Sequence, residues 1–162
     1  MPASSLLLLC TVLSVADGDT LKARCNDEAT PLVIRLAEID APEKGQPFGR
    51  ASKAALSALC LGKAAEVRPR TKDRWGRTVA RVSCGGVDAS SAQVQSGLAW
   101  AFTKYLTDSS IAELEKQARA EGGGLWAQPT PVPPWTWRRD HPHPGQPHPG
   151  AAPASSATTL PR

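Results

Sequence analysis

Arg35-Leu36-Ala37-Glu38-Ile39-Asp40-Ala41-Pro42-Glu43 closes the apolar run Pro31-Leu32-Val33-Ile34, and both the fold and the chemistry turn on it. The apolar run reads as a strand that the proline ends. A residue before proline is driven into extended geometry, so the backbone turns between Asp40 and Glu43 and the two carboxylates can face one small volume. Arg35 lies five residues before Asp40, which puts the two on opposite faces of a regular strand. A bend or bulge between them is needed to bring both to one side. Taken alone, the stretch also fits a strand, a turn and a few solvated charges.

Toward the N-terminus, Thr11–Ala16 and Asp19–Cys25 flank Asp17-Gly18, a strong hairpin signal. A hairpin centred on Asp17-Gly18 sets Cys10 opposite Cys25, so a cross-strand disulfide is expected. Residues 6–16 are apolar but too short to span a bilayer, and residues 1–9 read as a leader or signal remnant, though without a basic n-region. Toward the C-terminus, Pro47-Phe48-Gly49-Arg50 opens a helix whose apolar positions are Phe48, Ala51, Ala55, Leu56, Leu59 and Cys60, with Gly62 as its stop. Strands follow over 64–70 and 77–84, joined by Thr71-Lys72-Asp73-Arg74-Trp75-Gly76. The span 66–82 holds six basic residues against Glu66 and Asp73, so this second hairpin is the positive patch. Cys60 and Cys84, at the ends of the helix and of a strand, are the other candidate pair.

Asp88 can cap a short helix that ends near Gly97, and Asp108-Ser109-Ser110 can cap another with Ile111, Leu114 and Ala118 on one face, stopping at Gly122-Gly123-Gly124. Trp126 is expected to fold back onto the core. Residues 129–139 read as an extended Pro/Trp segment and 140–162 as a disordered Pro/His-rich tail. Three strands, a helix, two strands and then helices give an α+β expectation over residues 10–128: a five-stranded OB-fold β-barrel with about three helices.

With 162 residues and 41% apolar content the chain can bury a core, and its net charge of +4 favours an anionic partner such as nucleic acid. The four cysteines show no C-x-x-C spacing and all three histidines sit in the proline-rich tail, which argues against structural zinc. A monomer is the default.

Asp19, Arg35, Asp40, Glu43 and Arg77 form the candidate constellation. Asp19 and Asp40 offer hard oxygen ligands for calcium or magnesium, and Ala41 can add its backbone carbonyl. Glu43 is then free to orient or deprotonate a water. Arg35 and Arg77 match phosphate oxygens and strengthen as charge builds on phosphorus. Lys72 and Arg74 suit phosphate contact, and Trp75 can stack on a base or cover the barrel. Together these residues read as metal-assisted phosphodiester hydrolysis.

Val15-Ala-Asp-Gly-Asp-Thr20, Ile34-Arg-Leu-Ala-Glu-Ile-Asp-Ala-Pro-Glu43, Asp73-Arg-Trp-Gly-Arg77, Gly97-Leu-Ala99 and Gly124-Leu-Trp126, in this order, resemble the staphylococcal nuclease-like (thermonuclease) family over about Thr11 to Trp126. The resemblance implies an OB-fold barrel and calcium-dependent cleavage of DNA and RNA that leaves 3′-phosphate products. It also implies that Asp19 and Asp40 are calcium carboxylates, Arg35 and Arg77 phosphate-binding catalytic arginines, and Glu43 the activator of water. Ala41 stands where the family's best-known member has threonine, and Trp75 replaces a tyrosine. The cysteines suggest an exported branch, secreted or periplasmic. The competing expectation is a non-catalytic OB-fold module that binds nucleic acid or a protein partner; such modules lose some of these five residues, and all five are present.

Overall fold

A computed structural model describes residues 5–102, 107 and 109–142. β1 (Leu8–Asp17) and β2 (Thr20–Cys25) form the first hairpin, and β3 (Leu32–Leu36) runs beside β2. A two-residue strand, β4 (Ile39–Asp40), precedes α1 (Gly49–Cys60). The second hairpin is β5 (Ala64–Lys72) with β6 (Thr78–Cys84). β7 (Val87–Asp88), α2 (Ala89–Gln95), β8 (Trp100–Ala101), α3 (Ser109–Glu121), a 3-10 turn at Gly124–Ala127 and α4 (Pro134–Asp140) follow among the described residues. Strand order β3-β2-β1-β5-β6, with β3 and β6 paired in parallel, closes a five-stranded barrel; β4 pairs with β8 outside it.

The barrel closes because each strand offers one apolar face. Thr78, Ala80, Val82 and Cys84 of β6 alternate inward, as do Ala65 and Val67 of β5. Leu56 of α1, Val94 of α2 and Ile111 of α3 are buried in the same core.

β1 departs from the simple hairpin reading. The register matches Cys10 to Cys25 and Val12 to Ala23, then shifts after Val12 and again after Val15, so that Asp17 faces Thr20. Val12 and Val15 are both buried, a spacing of three that a regular strand cannot put on one face; each bulge absorbs one residue. The turn therefore centres on Gly18-Asp19, not Asp17-Gly18. Gly18 passes so close to α1 that a Cβ there would meet Ser52 Oγ at 1.8 Å.

Leu8 and Leu9, placed in the leader by the sequence reading, pair with Val67 and Glu66. The helix expected at 48–60 forms from Gly49, with Ser52 buried where Ala51 was expected. Asp88 caps α2 through Ser91 N–H at 2.8 Å. The cap expected at Asp108 lies outside the described residues, as does the tail from 143 onward. Trp126 does fold back: its ring lies 4.6 Å from Trp100, and Leu125 N–H donates to Gly97 O at 2.8 Å. Gly97 and Gly124 cross so closely that a Cβ on either would strike a backbone carbonyl of the other segment, which is why both sequence motifs carry glycine. Residues 134–140 are helical, not extended, giving four α-helices among the described residues. Pro134 occupies the first turn, where a missing N–H costs nothing.

Both expected disulfides form, Cys10–Cys25 and Cys60–Cys84. They share one row across the sheet, because Cys10 also faces Ala65 and Ala65 faces Cys84. The bridges span 15 and 24 residues, and loop entropy predicts that each adds about 3 kcal/mol of stability. Urea denaturation with and without reductant should show a loss of that order per bridge. An unchanged midpoint would mean that the bridges do not constrain the unfolded chain.

Candidate active site

At the opposite end of the barrel, Thr20 faces Arg35 and Arg35 faces Val79. The bend that the odd spacing of Arg35 and Asp40 requires is Ala37-Glu38, with Glu38 in the left-handed region at φ 69°. Arg35 holds this bend from inside. Its Nη1 donates to Leu36 O and Ile39 O, both at 2.9 Å, and its Nη2 lies 3.3 Å from Asp40 Oδ1 and 3.3 Å from Asp19 Oδ2. Glu38 holds it from the other side. Its buried carboxylate meets Arg81, lies 3.3 Å from Arg70 Nη1, and accepts Thr107 N–H at 2.6 Å and Thr107 O–H at 2.8 Å. Ser90 O–H donates to Ala37 O at 2.9 Å.

Asp19 is fixed through the hairpin tip. Buried Gln93 donates from Nε2 to Gly18 O at 2.7 Å and to Ser52 O at 2.9 Å, tying the tip to α1 and α2. The Asp19 carboxylate accepts Ala41 N–H at 2.7 Å and Thr20 O–H at 2.9 Å. Asp19 and Asp40 are 5% and 1% exposed, so neither charge is relieved by bulk water. Burial pushes Asp19 up, but Arg35, Asp17, Ala41 N–H and Thr20 outweigh it and hold the carboxyl below its ordinary range. Burial pushes Asp40 up against the pull of Arg138, and Asp19 adds to the rise. Asp17 is pushed up to about 7 by burial and by Asp19 beside it. Negative charge is thus crowded here beyond what Arg35 alone neutralises.

Glu43 stands at the rim. Its N–H donates to Gln46 Oε1 at 3.1 Å, and Gln46 Nε2 donates to Val132 O at 2.6 Å, linking this loop to the segment before α4. Arg138 of α4 reaches the carboxylates: Nη1 and Nη2 donate to the two oxygens of Asp40 at 3.1 and 2.7 Å, and Nη1 to Glu43 Oε1 at 2.8 Å.

Asp19, Arg35, Asp40, Ala41 and Glu43 are therefore brought together, from the tip of the first hairpin and the bent stretch 35–43. Arg77 is held otherwise: its Nε donates to Asp73 Oδ2 at 2.7 Å, and among the described residues no contact joins it to the carboxylates. Lys72, Arg74 and Trp75 are exposed at the end of the second hairpin, with the Arg74 guanidinium 4.3 Å over the Trp75 ring. Sequence reasoning missed Glu38, Gln93 and Arg138. An acidic residue between Leu36-Ala37 and Ile39 hinted at a buried ion pair; Arg138 lay in a stretch read as extended, where the helix-start signal of Pro133-Pro134 went unused.

The donor set suits a hard divalent cation. Among the described residues no group of three or more Asp, Glu, His or Cys side chains is arranged to hold an ion. An ion at Asp19 and Asp40 would need carbonyl, water or substrate oxygens as well, which calcium accepts. The guanidinium of Arg138 already stands as a cation on Asp40.

The family described as staphylococcal nuclease homologue matches residues 33–128. An "uncharacterized endonuclease" of Haemophilus influenzae is 40% identical over 130 residues, covering 80% of this chain and 72% of that protein. A protein of the same description from Escherichia coli O157:H7 is 39% identical over 128 residues (78% and 82%). A micrococcal nuclease of Shigella flexneri is 37% identical over 139 residues, 79% of each chain.

Removing one partner of a buried ion pair costs about 3–5 kcal/mol, so Glu38→Ala should destabilise the protein by that order in urea. Glu38→Gly, which relieves the left-handed backbone, should lose nearly as much. A much milder loss for the glycine variant would make the turn, not the carboxylate, the determinant.

Proposed function

The chain belongs to the staphylococcal nuclease family, and on that premise we propose that it is a calcium-dependent nuclease that hydrolyses DNA and RNA with low sequence specificity and leaves 3′-phosphate ends. The observation that carries this reading is the convergence of two buried aspartates on one arginine, with a rim glutamate beside them.

Asp19, Asp40 and the Ala41 carbonyl would hold the ion. Bound there, calcium supplies positive charge for the phosphate oxygens. Arg35 has five N–H donors; both on Nη1 are spent on carbonyls, while Nε–H has no partner among the described residues and is free for a phosphate oxygen. Arg77 keeps its Nη donors while Asp73 fixes its Nε, an orientation suited to the developing charge on phosphorus. Glu43 would take a proton from water; the water oxygen joins phosphorus, the bond to the 5′ oxygen breaks and that oxygen takes up a proton from solvent, and the phosphate stays on the 3′ side.

Trp75, 61% exposed, offers a stacking face for a base, and Lys72 and Arg74 line the same basic edge. An open depression of about 580 Å³ beside Glu43, bordered by Lys44, Pro47, Phe48 and Arg50, gives a strand further room. Unpaired strands suit such a surface better than a stiff duplex. Two disulfides, with no free cysteine among the described residues, fit an oxidising compartment, hence a secreted or periplasmic protein. No helix among the described residues is long and apolar enough to cross a membrane. We read the protein as a monomer.

Cleavage of denatured DNA in millimolar calcium should vanish with excess chelator, and Glu43→Gln should lower turnover by about 10²- to 10⁴-fold with the fold intact. Near-normal cleavage by that variant would remove Glu43 from the chemistry. Arg77→Ala should cost about 10²- to 10³-fold in turnover, whereas Arg74→Ala should mainly weaken binding and reduce its salt dependence. Equal turnover losses at the two positions would contradict this division.

A further inference from the structure

Arg138 lies ten residues beyond the stretch matched by the family, yet it makes more contacts with the candidate catalytic carboxylates than any other cation. We propose that Arg138 sets the protein's affinity for its cation by competing for Asp40: α4 is a strap whose guanidinium and the metal ion are alternative occupants of one carboxylate. This inference rests on the metal-site reading above.

The geometry is that of an occupant. Asp40 is 1% exposed and carries a guanidinium nitrogen on each oxygen from Arg138, besides Arg35 on Oδ1. A cation at Asp40 must bind those same two oxygens, where guanidinium contacts already take three of about four lone-pair sites, and two positive groups on one carboxylate repel each other. The same fork ties up Glu43 Oε1, the atom that would take the proton from water. Binding of the ion thus frees the base as well.

The strap is built to let go at one point only. Trp135 packs 5.6 Å from Trp100 and 5.9 Å from Phe102, Pro134 is buried, and Gln46 holds Val132. These contacts anchor the start of α4. Arg138 is in its last turn, with a side chain 43% exposed, so water can receive the guanidinium without the helix undocking. The charge of Arg138 stabilises Asp40 in the absence of metal, when Asp19 and Asp40 would otherwise face each other with Arg35 as their only counter-charge among the described residues.

Isothermal titration of the chelator-stripped protein with calcium chloride tests the competition. Arg138→Ala and Arg138→Gln should both bind calcium about fivefold or more tightly than the unsubstituted protein, with circular dichroism confirming the fold. Unchanged or weaker binding by folded variants would overturn the strap while leaving the metal site standing. No calcium uptake by any of the three proteins would overturn the metal-site reading, and the strap with it.

Discussion

Two carboxylates removed from water and set on a single guanidinium are the constraint from which the rest of this structure follows. Asp19 and Asp40 repel each other, and burial raises the cost of charging both. Holding them within 3.3 Å of Arg35 Nη2 takes a bent strand, a bulged hairpin and a dense set of polar anchors. Glu38, Gln93 and Ser90 are buried polar side chains with no direct contact to the carboxylates among the described residues, and each grips the backbone that presents them. Relative to well-packed apolar residues of the same volume such groups add little, yet removing one partner alone is costly; their effect is to leave the two loops with one arrangement.

The barrel divides that labour along its strands. One register row, Cys25–Cys10–Ala65–Cys84, carries a cysteine of both disulfides, which tie β1 to β2 and β6 to the end of α1 at one end of the barrel. The opposite row, Thr20–Arg35–Val79, carries the ionic cluster. Covalent and apolar stabilisation at one end offsets the electrostatic cost at the other, so a crowded site persists without collapsing the hairpins that bear it. β1 links the two ends, and its bulges pair Asp17 with Thr20 and place Asp19 at the tip, where Asp17 Oδ1 accepts the Asp19 N–H at 3.1 Å.

Much of this was legible in the sequence because the signals were local. Asp-Gly between two strand-like runs gave the hairpin and the Cys10–Cys25 pairing, and the odd spacing of Arg35 and Asp40 demanded the bend found at Ala37-Glu38. The exact turn was not legible: whether β1 bulges depends on which valines the core accepts, and Val12 and Val15 are both taken in. Glu38 and Gln93 were missed because their partners, Arg81 and Gly18 among them, are 43 and 75 residues away. Arg138 was missed for a like reason. Its partner Asp40 is 98 residues back, and the helix carrying it was masked by flanking prolines that favour extended backbone as readily as a helix start.

The central claim is that the Asp19–Asp40 pair is a cation site serving phosphodiester cleavage. Crystals grown in calcium chloride, with diffraction recorded where calcium scatters anomalously, test it most directly. The account predicts one strong anomalous peak in contact with Asp19 and Asp40, with the Arg138 guanidinium displaced from Asp40. A well-ordered site without that peak, and Arg138 still seated on both oxygens of Asp40, would contradict it.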